Sequence, residues 1–444
     1  MPKEKSDILL FLVVNFFQIV YMIINHVIML VVVTNMMKMK IKKKGDFMSI
    51  SKIRFKGYDN SLERKTIGDI TTSFSGGTPK SSNKAYYEGN IPFVRSGEIK
   101  LKQTELFISD DALKDSSAKM VEKGDILYAL YGATSGEVAI SQINGAINQA
   151  ILAIKPNSGY SSEFIMNYLK KEKENILEKY LQGGQGNLSA AIVKSIELHL
   201  PSQEEQTAIG SFFRTLDDLL ASYKDNLANY QSLKATMLSK MFPKAGQTVP
   251  EIRLDGFEGE WEIKKFKSIS TKRGKSNSKG YDYPAYSVSN QSGLIPQSEQ
   301  FEGSRLENLE KTSYKIVEPN EFAYNPARIN VGSIAFNNLD ETVLVSSLYV
   351  IFSLDKSINN NYALLFIKSP EFNKEVRRNT EGSVREYLFY ENFANIRIPI
   401  PPSLEEQIAI GTYFSNLDSL IASHQEKISQ LETLKKKLLQ DMFI

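Results

Sequence analysis

The sequence predicts a mixed α/β protein that is built from two similar units. One stretch of about forty residues occurs twice. Apolar residues recur every seventh position in both copies, which indicates a long helix in each. Short alternating apolar runs, typical of strands, and one predicted helix precede each copy. Together these observations predict two mixed α/β domains and two long antiparallel helices, related by a pseudo-two-fold internal repeat.

The repeated stretch sets this architecture. Residues 201–242 align without a gap on residues 402–443, and 19 of the 42 paired positions are identical. The clearest match is PSQEEQTAIG at 201–210 against PSLEEQIAIG at 402–411. A duplication of this length indicates that the fold itself contains two equivalent units.

Each copy has the pattern of one amphipathic helix. Neither copy contains Gly or Pro after Gly210 or Gly411, and Ser202 and Ser403 stand three residues before a glutamate, the spacing of a capping box. Forty residues make a rod of about 60 Å. The simplest partner for each apolar seam is the other copy, and the alternative is two ordinary core helices. The residues predicted to pair the helices and dock a partner are Ile209, Phe213, Leu216, Leu220, Leu227, Ile410, Phe414, Leu417, Ile421 and Ile428.

Composition limits the chemistry. The chain of 444 residues has room for two or three domains, and it contains no cysteine and only three histidines, His26, His199 and His424. A disulfide, a thiolate metal site and a histidine-based metal site or triad are therefore not expected, and neither is a cofactor. The absence of cysteine suits the cytoplasm, where we expect the protein.

The first residues allow two interpretations. Residues 8–33 carry no charge and exceed the roughly 20 residues that span a bilayer, so they are a membrane-anchor candidate. However, the lead-in IRFKGY at 53–58 recurs as IRLDGF at 252–257, so the repeated unit begins near Met48. Residues 1–47 are then an extension that results from the choice of start site. They hold seven lysines and three acidic residues, which leaves 47 basic and 48 acidic side chains, so net charge gives no support for nucleic-acid binding.

We therefore expect five segments. They are the extension at 1–47, the first α/β domain at 48–200, the first long helix at 201–243, the second α/β domain at 244–400 and the second long helix at 401–444. Strands are predicted at 125–131, 147–154, 192–200, 331–336, 343–352 and 396–400, and shorter helices at 161–180 and 361–378.

Motifs for catalysis are not evident. SGGTPKSS, which starts at Ser75, lacks the spacing of a phosphate-binding loop and predicts a turn. Asn325-Pro326-Ala327-Arg328 lacks the aromatic residue that would stack on a flipped base. Lysines and arginines do occur among Ser, Thr, Asn and Tyr in loops, a mixture that contacts phosphates and base edges, although solvated loops have it too. The DNA-binding candidates are Thr78, Lys80, Lys84, Tyr86, Arg95, Lys272, Arg273, Lys275, Lys279, Arg328 and Arg385.

In order along the chain, the lead-in IRFKGY, the GGTP loop, DILYALYGATSGE, INQAILAIKP and GNLSAAIVKSIELHLPSQEEQ precede a long helix ending in LSKMF. This order, repeated with variation over residues 48–444, resembles the specificity subunit of type I restriction-modification systems. The sequence departs from that family in its first 47 residues and in having Leu62 where the second unit has Trp261.

The resemblance implies a non-catalytic subunit in which each variable block is a target recognition domain. Each domain would read one half of a bipartite, asymmetric DNA site. The antiparallel helices would set the gap between the half-sites and dock two methylation subunits, and restriction subunits would join to cut the DNA. The competing hypothesis is a membrane-tethered or scaffolding adaptor with protein-binding α/β domains. A stand-alone methyltransferase would need cofactor motifs that are missing.

Overall fold

The computed structural model describes residues 34, 39–41, 53–181, 187–290, 293–300, 311–379 and 387–443. The chain divides into two compact units, Met1–Asp225 with Glu426–Ile444 and Asn226–Gln425. Each unit therefore combines one α/β domain with parts of both long helices. The anchor candidate at 8–33 lies outside the described residues. Across the described part of the chain, no helix is long and apolar enough to cross a membrane.

In its described residues the first unit contains twelve strands. They are β1 (Met39–Ile41), β2 (Ile53–Phe55), β3 (Glu63–Thr66), β4 (Thr71–Ser75), β5 (Ile91–Val94), β6 (Phe107–Ile108), β7 (Lys119–Val121), β8 (Ile126–Ala129), β9 (Val138–Ile140), β10 (Gly145–Ile147), β11 (Ile151–Pro156) and β12 (Glu197–Leu200). Its shorter helices are α1 (Ile67–Ile70), α2 (Asp110–Lys114), α3 (Ser162–Leu181) and α4 (Ala190–Lys194).

These strands form two four-stranded sheets and two strand pairs. The sheet with the order β4-β11-β8-β9, which we call the inner sheet, is antiparallel, and helix α3 packs against its edge at β9. The other sheet, which we call the outer sheet, has the order β6-β5-β10-β7 and contains one parallel pair, β5 with β10. The pair β12-β3 closes the domain next to the start of the first long helix. The pair β1-β2 joins the described residues 39–41 to the lead-in.

Ten strands occur in the part of the second unit that the structure describes. They are β13 (Glu262–Lys265), β14 (Ser270–Arg273), β15 (Tyr286–Ser289), β16 (Gly293–Pro296), β17 (Lys315–Val317), β18 (Phe322–Tyr324), β19 (Ile334–Phe336), β20 (Val343–Val345), β21 (Val350–Leu354) and β22 (Arg397–Ile400). Its shorter helices are α6 (Gln297–Gln300), α7 (Asn360–Ile367), α8 (Pro370–Asn379) and α9 (Tyr390–Phe393).

The inner sheet of this unit, β14-β21-β18-β19, repeats the order of the first, and β13-β22 repeats β3-β12. The outer part differs, because it consists of two separate antiparallel pairs, β15-β16 and β17-β20. A single parallel bridge, Ala285 with Leu344, stands where the first unit has the parallel pair β5-β10. The mixed α/β fold with an internal repeat is thus confirmed, and the outer sheets are where the two domains diverge.

The two long helices are α5 (Gln203–Lys240) and α10 (Leu404–Met442), close to the predicted bounds. Short helical turns of the 3-10 type occur at Lys84–Tyr87, Ser96–Glu98, Phe266–Ser268, Lys311–Ser313 and Ile329–Val331. Within each unit the two long helices run antiparallel, as the ion pairs described below show. The predicted antiparallel pairing is therefore confirmed inside each unit.

Several predicted elements are wrong in detail. The run 147–154 is divided between β10 and β11, which belong to different sheets. The run 343–352 likewise divides into β20 and β21. The predicted helix 361–378 is broken into α7 and α8 at Pro370, which lacks the backbone N–H that a continuous helix needs. Residues 192–194, predicted as the start of the strand 192–200, instead belong to α4, which Ser189 caps by accepting a hydrogen bond from the N–H of Ile192.

Candidate nucleic-acid interface and its attachment to the long helices

The repeated PSxEEQ motif fixes each α/β domain to a long helix. The Ser202 hydroxyl accepts from the N–H of Glu205 at 3.4 Å, as a helix cap does. The Glu205 carboxylate does not complete the predicted capping box. Instead it accepts a two-pronged interaction from the Arg54 guanidinium, with Nε to Oε1 at 2.9 Å. Both side chains are buried, with exposed fractions of 2% and 1%.

The second copy repeats this arrangement. The Ser403 hydroxyl accepts from the N–H of Glu406 at 3.1 Å, and Arg253 donates to Glu406 at 2.8 and 2.7 Å. Both arginines lie in the lead-ins IRFKGY and IRLDGF, so the lead-in and the helix start are repeated because they contact each other. Each ion pair is a two-pronged Arg–carboxylate contact, which fixes geometry more tightly than a single contact does; the first pair is buried, and in the second Glu406 is buried while Arg253 is 14% exposed.

The glutamine of the motif holds a different element. The Gln206 side-chain oxygen accepts from the N–H of Ser161 at 3.2 Å, at the start of α3. In the second copy, the Gln407 side-chain oxygen accepts from the N–H of Asn359 at 2.9 Å, at the start of α7. Each motif therefore places the first turn of a domain helix directly against a long helix.

Gly210 and Gly411 allow this close approach. A Cβ added at Gly210 would lie 2.7 Å from the Cβ of Glu163, and one at Gly411 would lie 3.1 Å from the Cβ of Asn361. Any side chain at Gly210 therefore requires the domain helix to move, whereas Gly411 has slightly more room. Both glycines serve packing between helices.

The C-terminal end of each long helix packs into the core of the unit that contains the start of the other long helix. In the first unit, Phe443 at the end of α10 packs against Phe164 at 5.0 Å and Phe213 at 5.8 Å between ring centroids. In the second unit, Phe242, just after α5, packs against Trp261 at 6.3 Å and Tyr362 at 5.5 Å. The Met-Phe ending that the two copies share is thus a core element.

Ion pairs set the register of the helices. In the first unit Asp217 of α5 pairs with Lys435 of α10, and Lys224 pairs with Glu432 at 2.6 Å. Residue numbers rise along one helix as they fall along the other, so the helices are antiparallel. In the second unit Lys234 pairs with Asp418 at 2.5 Å, and the rings of Tyr230 and His424 pack at 5.1 Å between centroids, so the residue numbers again run in opposite directions. Asp217 and Asp418 are equivalent under the repeat, as are Lys234 and Lys435, so one contact occurs twice.

A second lysine accompanies each of these pairs. Lys170 of α3 lies 4.0 Å from Asp217, and burial together with the nearby Lys435 lowers the pKa of Lys170 to about 8. In the second unit, burial and the nearby Lys234 lower the pKa of Lys368. In the first unit two ammonium groups thus share the Asp217 carboxylate, and in the second unit Lys368 lies near Lys234 and Asp418. The sequence patterns did not reveal this arrangement, although the repeated Asp and Lys positions were a usable signal.

The predicted helix-pairing residues face the cores of the two units. Most are buried: Ile209, Phe213, Leu216, Leu220, Ile410, Phe414, Leu417 and Ile428. Leu227 and Ile421 are only half-buried. Both lie within five residues of the boundary between the two units in sequence. Which of these residues dock a partner stays a prediction.

The DNA-binding candidates fall into two groups. Among the described residues, the first group is exposed and makes no ion pair; it consists of Lys80, Lys84, Lys275, Lys279 and Arg328. Their charges are available to an external anion such as a phosphate. The GG turn before Lys80 has a packing reason, because a Cβ at Gly76 would meet the carbonyl oxygen of Ile147 at 1.8 Å.

The second group is engaged within the protein. Thr78 donates to Gln149 at 2.5 Å, and the half-buried Tyr86 donates to Asp115 at 2.9 Å. Lys272 pairs with Glu391 at 2.7 Å, and Arg273 donates to Ser353 at 3.1 Å. Arg95 pairs with two glutamates. Arg385 lies outside the described residues.

The Asn325-Pro326 segment forms a turn. The Asn325 side-chain oxygen accepts from the N–H of Ala327 at 3.0 Å, and the carbonyl of Pro326 accepts from the N–H of Leu388 at 3.0 Å. This turn leaves Arg328 exposed at its end. In the part of the chain that the structure describes, no group of acidic or histidine side chains is arranged to hold a metal ion.

The geometry describes a protein with two α/β domains of one design, each attached to the long helices by the same contacts. The family described as "Type I restriction modification DNA specificity domain" matches residues 60–229 and 258–433, so each match covers one α/β domain and most of the helix that follows. The chain belongs to this family.

Curated relatives agree with this membership over most of their length. The chain is 22% identical over 384 residues to the type I restriction enzyme MjaVIII specificity subunit of Methanocaldococcus jannaschii, covering 80% of this chain and 88% of the relative. It is 24% identical over 409 residues to the MjaIX specificity subunit of the same organism, covering 84% and 91%.

A solved structure shares the fold. The S subunit of a type I restriction-modification system from M. genitalium superposes with a TM-score of 0.57 and 15% identity, covering 88% of this chain and 97% of that one. The likeness in fold agrees with the family match, which confirms the sequence-based identification of the family.

Proposed function

We propose that this chain is the sequence-specific DNA-recognition subunit of a type I restriction-modification complex. It binds a bipartite, asymmetric DNA site and directs methylation and cleavage by partner subunits. The observation that carries the proposal is the contrast inside the repeat. The contacts that attach each α/β domain to the long helices are the same in both units, whereas the outer sheets differ.

The two domains are attached to the long helices by the same contacts but have different outer strands. We therefore expect them to bind half-sites of different sequence. In this proposal residues 48–200 and 244–400 are the two target recognition domains, and residues 201–243 and 401–444 form the spacer. Half-sites read from one face of B-DNA are separated by about 34–36 Å, one helical turn. A helix of about forty residues spans about 60 Å and is long enough for that separation.

The chain itself is proposed to be non-catalytic and to need no cofactor. Two methylation subunits would dock on the long helices, and restriction subunits would join to cut DNA. Exposed apolar residues on α10, Leu404, Ile408 and Leu420, lie outside the seam and suit such docking. Because its substrate is DNA inside the cell, we place the complex in the cytoplasm.

Charge supports dependence on these partners. Outside residues 1–47 the chain has 47 basic and 48 acidic residues, so its own net charge contributes little to phosphate binding. We expect weak DNA binding by the chain alone and tight, specific binding only with the methylation subunit. Affinities must be compared at physiological salt, because phosphate contacts weaken steeply as salt rises.

The test is methylome sequencing of cells that express this chain with its methylation subunit. The expected result is methylation of one asymmetric site with two separated half-sites, which disappears when the chain is omitted. Methylation without any such site, together with pull-down of membrane or scaffold proteins by the chain, would favour the adaptor hypothesis. Tight, specific DNA binding by the purified chain alone would contradict the expected dependence on the partner.

A further inference from the structure

The two recognition domains differ in the length of one hairpin connection. In the first unit β5 pairs antiparallel with β6, and residues 95–106 connect them. In the second unit β15 pairs antiparallel with β16, and only residues 290–292 connect them. The connection thus has twelve residues in the first unit and three in the second. Since loops carry function on a shared scaffold, this longer connection, which we call the 95–106 loop, is a candidate for reading sequence.

The loop holds one arginine in a fixed position. Arg95 donates from Nε and Nη2 to the Glu98 carboxylate at 3.1 and 2.9 Å, and from Nη2 to Glu105 at 2.7 Å. Glu98 is 8% exposed, and it also accepts from the Thr104 hydroxyl and from the backbone N–H of Arg95. The hydrogen bonds from Arg95 lower the pKa of Glu98 to about 2, so the carboxylate stays ionised at neutral pH.

One edge of this guanidinium remains available. Arg95 is 42% exposed, and within the described residues its Nη1 donates to no protein acceptor. Glu105 beside it is 83% exposed. An open cavity of about 560 Å³ lies next to both side chains, and Leu101 and Gln103 also line it. The loop therefore presents a pre-positioned donor next to an exposed acceptor.

The charged side chains that line this cavity, Arg95, Glu98 and Glu105, disfavour contact with a DNA phosphate. Two carboxylates against one guanidinium leave a net negative charge, which repels phosphates. The exposed edges of a G·C pair suit it instead, because guanine presents the acceptors O6 and N7 in the major groove and cytosine presents the N4 amino donor. Arginine to guanine and glutamate to cytosine N4 are the matching side-chain contacts.

The loop is also anchored against movement. Glu137 pairs both with Lys100 of the loop and with Lys173 of α3, the latter at 2.5 Å. A side chain that reads a base edge must be held by such supporting contacts to discriminate between bases. Helix α3 is itself fixed to the first long helix through Gln206. The reading position is thus connected to the spacer by rigid elements.

We propose that the 95–106 loop reads one G·C base pair of the half-site bound by the first unit. Arg95 donates to guanine through Nη1 and Nη2, with the exposed Glu105 swinging from Nη2 to accept from N4 of the paired cytosine. Arg95 is then a specificity-determining residue, and Glu98 is a positioning residue for it. This inference rests on the proposed function of the chain as a DNA-recognition subunit.

The experiment uses the complex of this chain with its methylation subunit, after the site has been found by methylome sequencing. Each guanine in the site is replaced in turn by 7-deazaguanine, which lacks the N7 acceptor, and affinity is measured for wild type and Arg95→Ala. At one guanine of one half-site, wild type should lose about five-fold to a hundred-fold in affinity, the range expected for a specific base contact. For Arg95→Ala, 7-deazaguanine at that position should cause no further loss of affinity. At every other guanine, the substitution should change the affinity of Arg95→Ala and of wild type equally.

Two further variants, one at Glu105 and one at Lys102, complete the experiment. Glu105→Gln should weaken discrimination at that same base pair, and the exposed Lys102→Ala, as a matched loop control, should leave base preference unchanged. If Arg95→Ala misfolds, the 7-deazaguanine panel on wild type and the Glu105→Gln variant still decide. Equal losses for wild type and Arg95→Ala at every guanine, or the absence of any G·C pair from the half-site bound by the first unit, would overturn the inference. Absence of any sequence-specific binding by the complex would instead overturn the proposed function.

Discussion

Removal of Arg54 should destabilise the first unit far more than removal of an exposed arginine in the same domain. Arg54 and Glu205 are almost wholly buried and joined by two contacts. Arg54→Ala leaves the Glu205 carboxylate buried without its counter-charge, which typically destabilises a protein by about 3–5 kcal/mol. For a unit of about two hundred residues this corresponds to a fall in Tm of about 6–20 °C.

The assay is differential scanning calorimetry, because two units can unfold in separate transitions and each must be followed by itself. Arg54→Ala should lower the transition of the first unit, and Arg253→Ala that of the second. The matched control is Arg64→Ala, because Arg64 also pairs with a glutamate, Glu197, but both side chains are exposed. Its Tm should be almost unchanged, since exposed pairs contribute little.

A double variant separates the ion pair from general damage. Replacing both partners, Arg54→Met with Glu205→Leu, removes both buried charges and should recover most of the lost stability, because apolar residues of similar volume often substitute for buried pairs without loss. If the single Arg54→Ala variant loses less than about 1 kcal/mol, or if the double variant is as unstable as the single one, the attachment described for the PSxEEQ motif is wrong.

Three further predictions concern the same junctions. Gly210→Ala should destabilise the protein by about 1–3 kcal/mol, as overpacking does, because the added Cβ would lie 2.7 Å from its nearest neighbour. Gly411→Ala should destabilise it less, because the corresponding distance is 3.1 Å. Urea unfolding measures both losses of stability, and equal losses would contradict this reasoning. The pKa of Lys170 is lowered to about 8, so the folded first unit releases this proton at lower pH than the unfolded chain does. Its stability should therefore rise as pH increases above about 8, and Lys170→Met should remove that rise and increase Tm at pH 7, whereas an unchanged pH profile would count against the assignment. Inserting seven residues after both Tyr223 and His424 keeps the apolar seam in phase and adds about 10.5 Å, or about three base pairs, to the gap between half-sites. Methylome sequencing measures the gap, and an unchanged gap with full activity would show that the helices do not set it.

The sequence was most informative where periodicity and repetition acted over many residues. The bounds of α5 and α10 followed from a seven-residue period and from serines that cap each start. Short apolar runs were less informative, because a run such as 147–154 has the same composition whether it forms one strand or two strands in different sheets. The division comes from the Asn148 side chain, which accepts from the N–H of Ala150 and turns the chain there.

The candidate site was predictable only in part. Exposed lysines such as Lys80 and Lys275 could be proposed from composition, since loops with Ser and Asn are typically solvated. The partners of Arg95 could not be foreseen in the same way, because Glu105 is ten residues away and the turn that brings it back depends on tertiary contacts. The role of Glu205 was also misjudged, because its partner Arg54 lies 151 residues earlier in the chain.

The central claim is that two interchangeable recognition domains are fixed to one spacer. Exchange of residues 62–200 for the equivalent block of a relative tests it most directly, with methylome sequencing as the measurement. The exchange retains Arg54, Glu205 and both long helices. We predict that one half-site changes while the other half-site and the gap between them stay the same. Alteration of both half-sites by this exchange would contradict the claim.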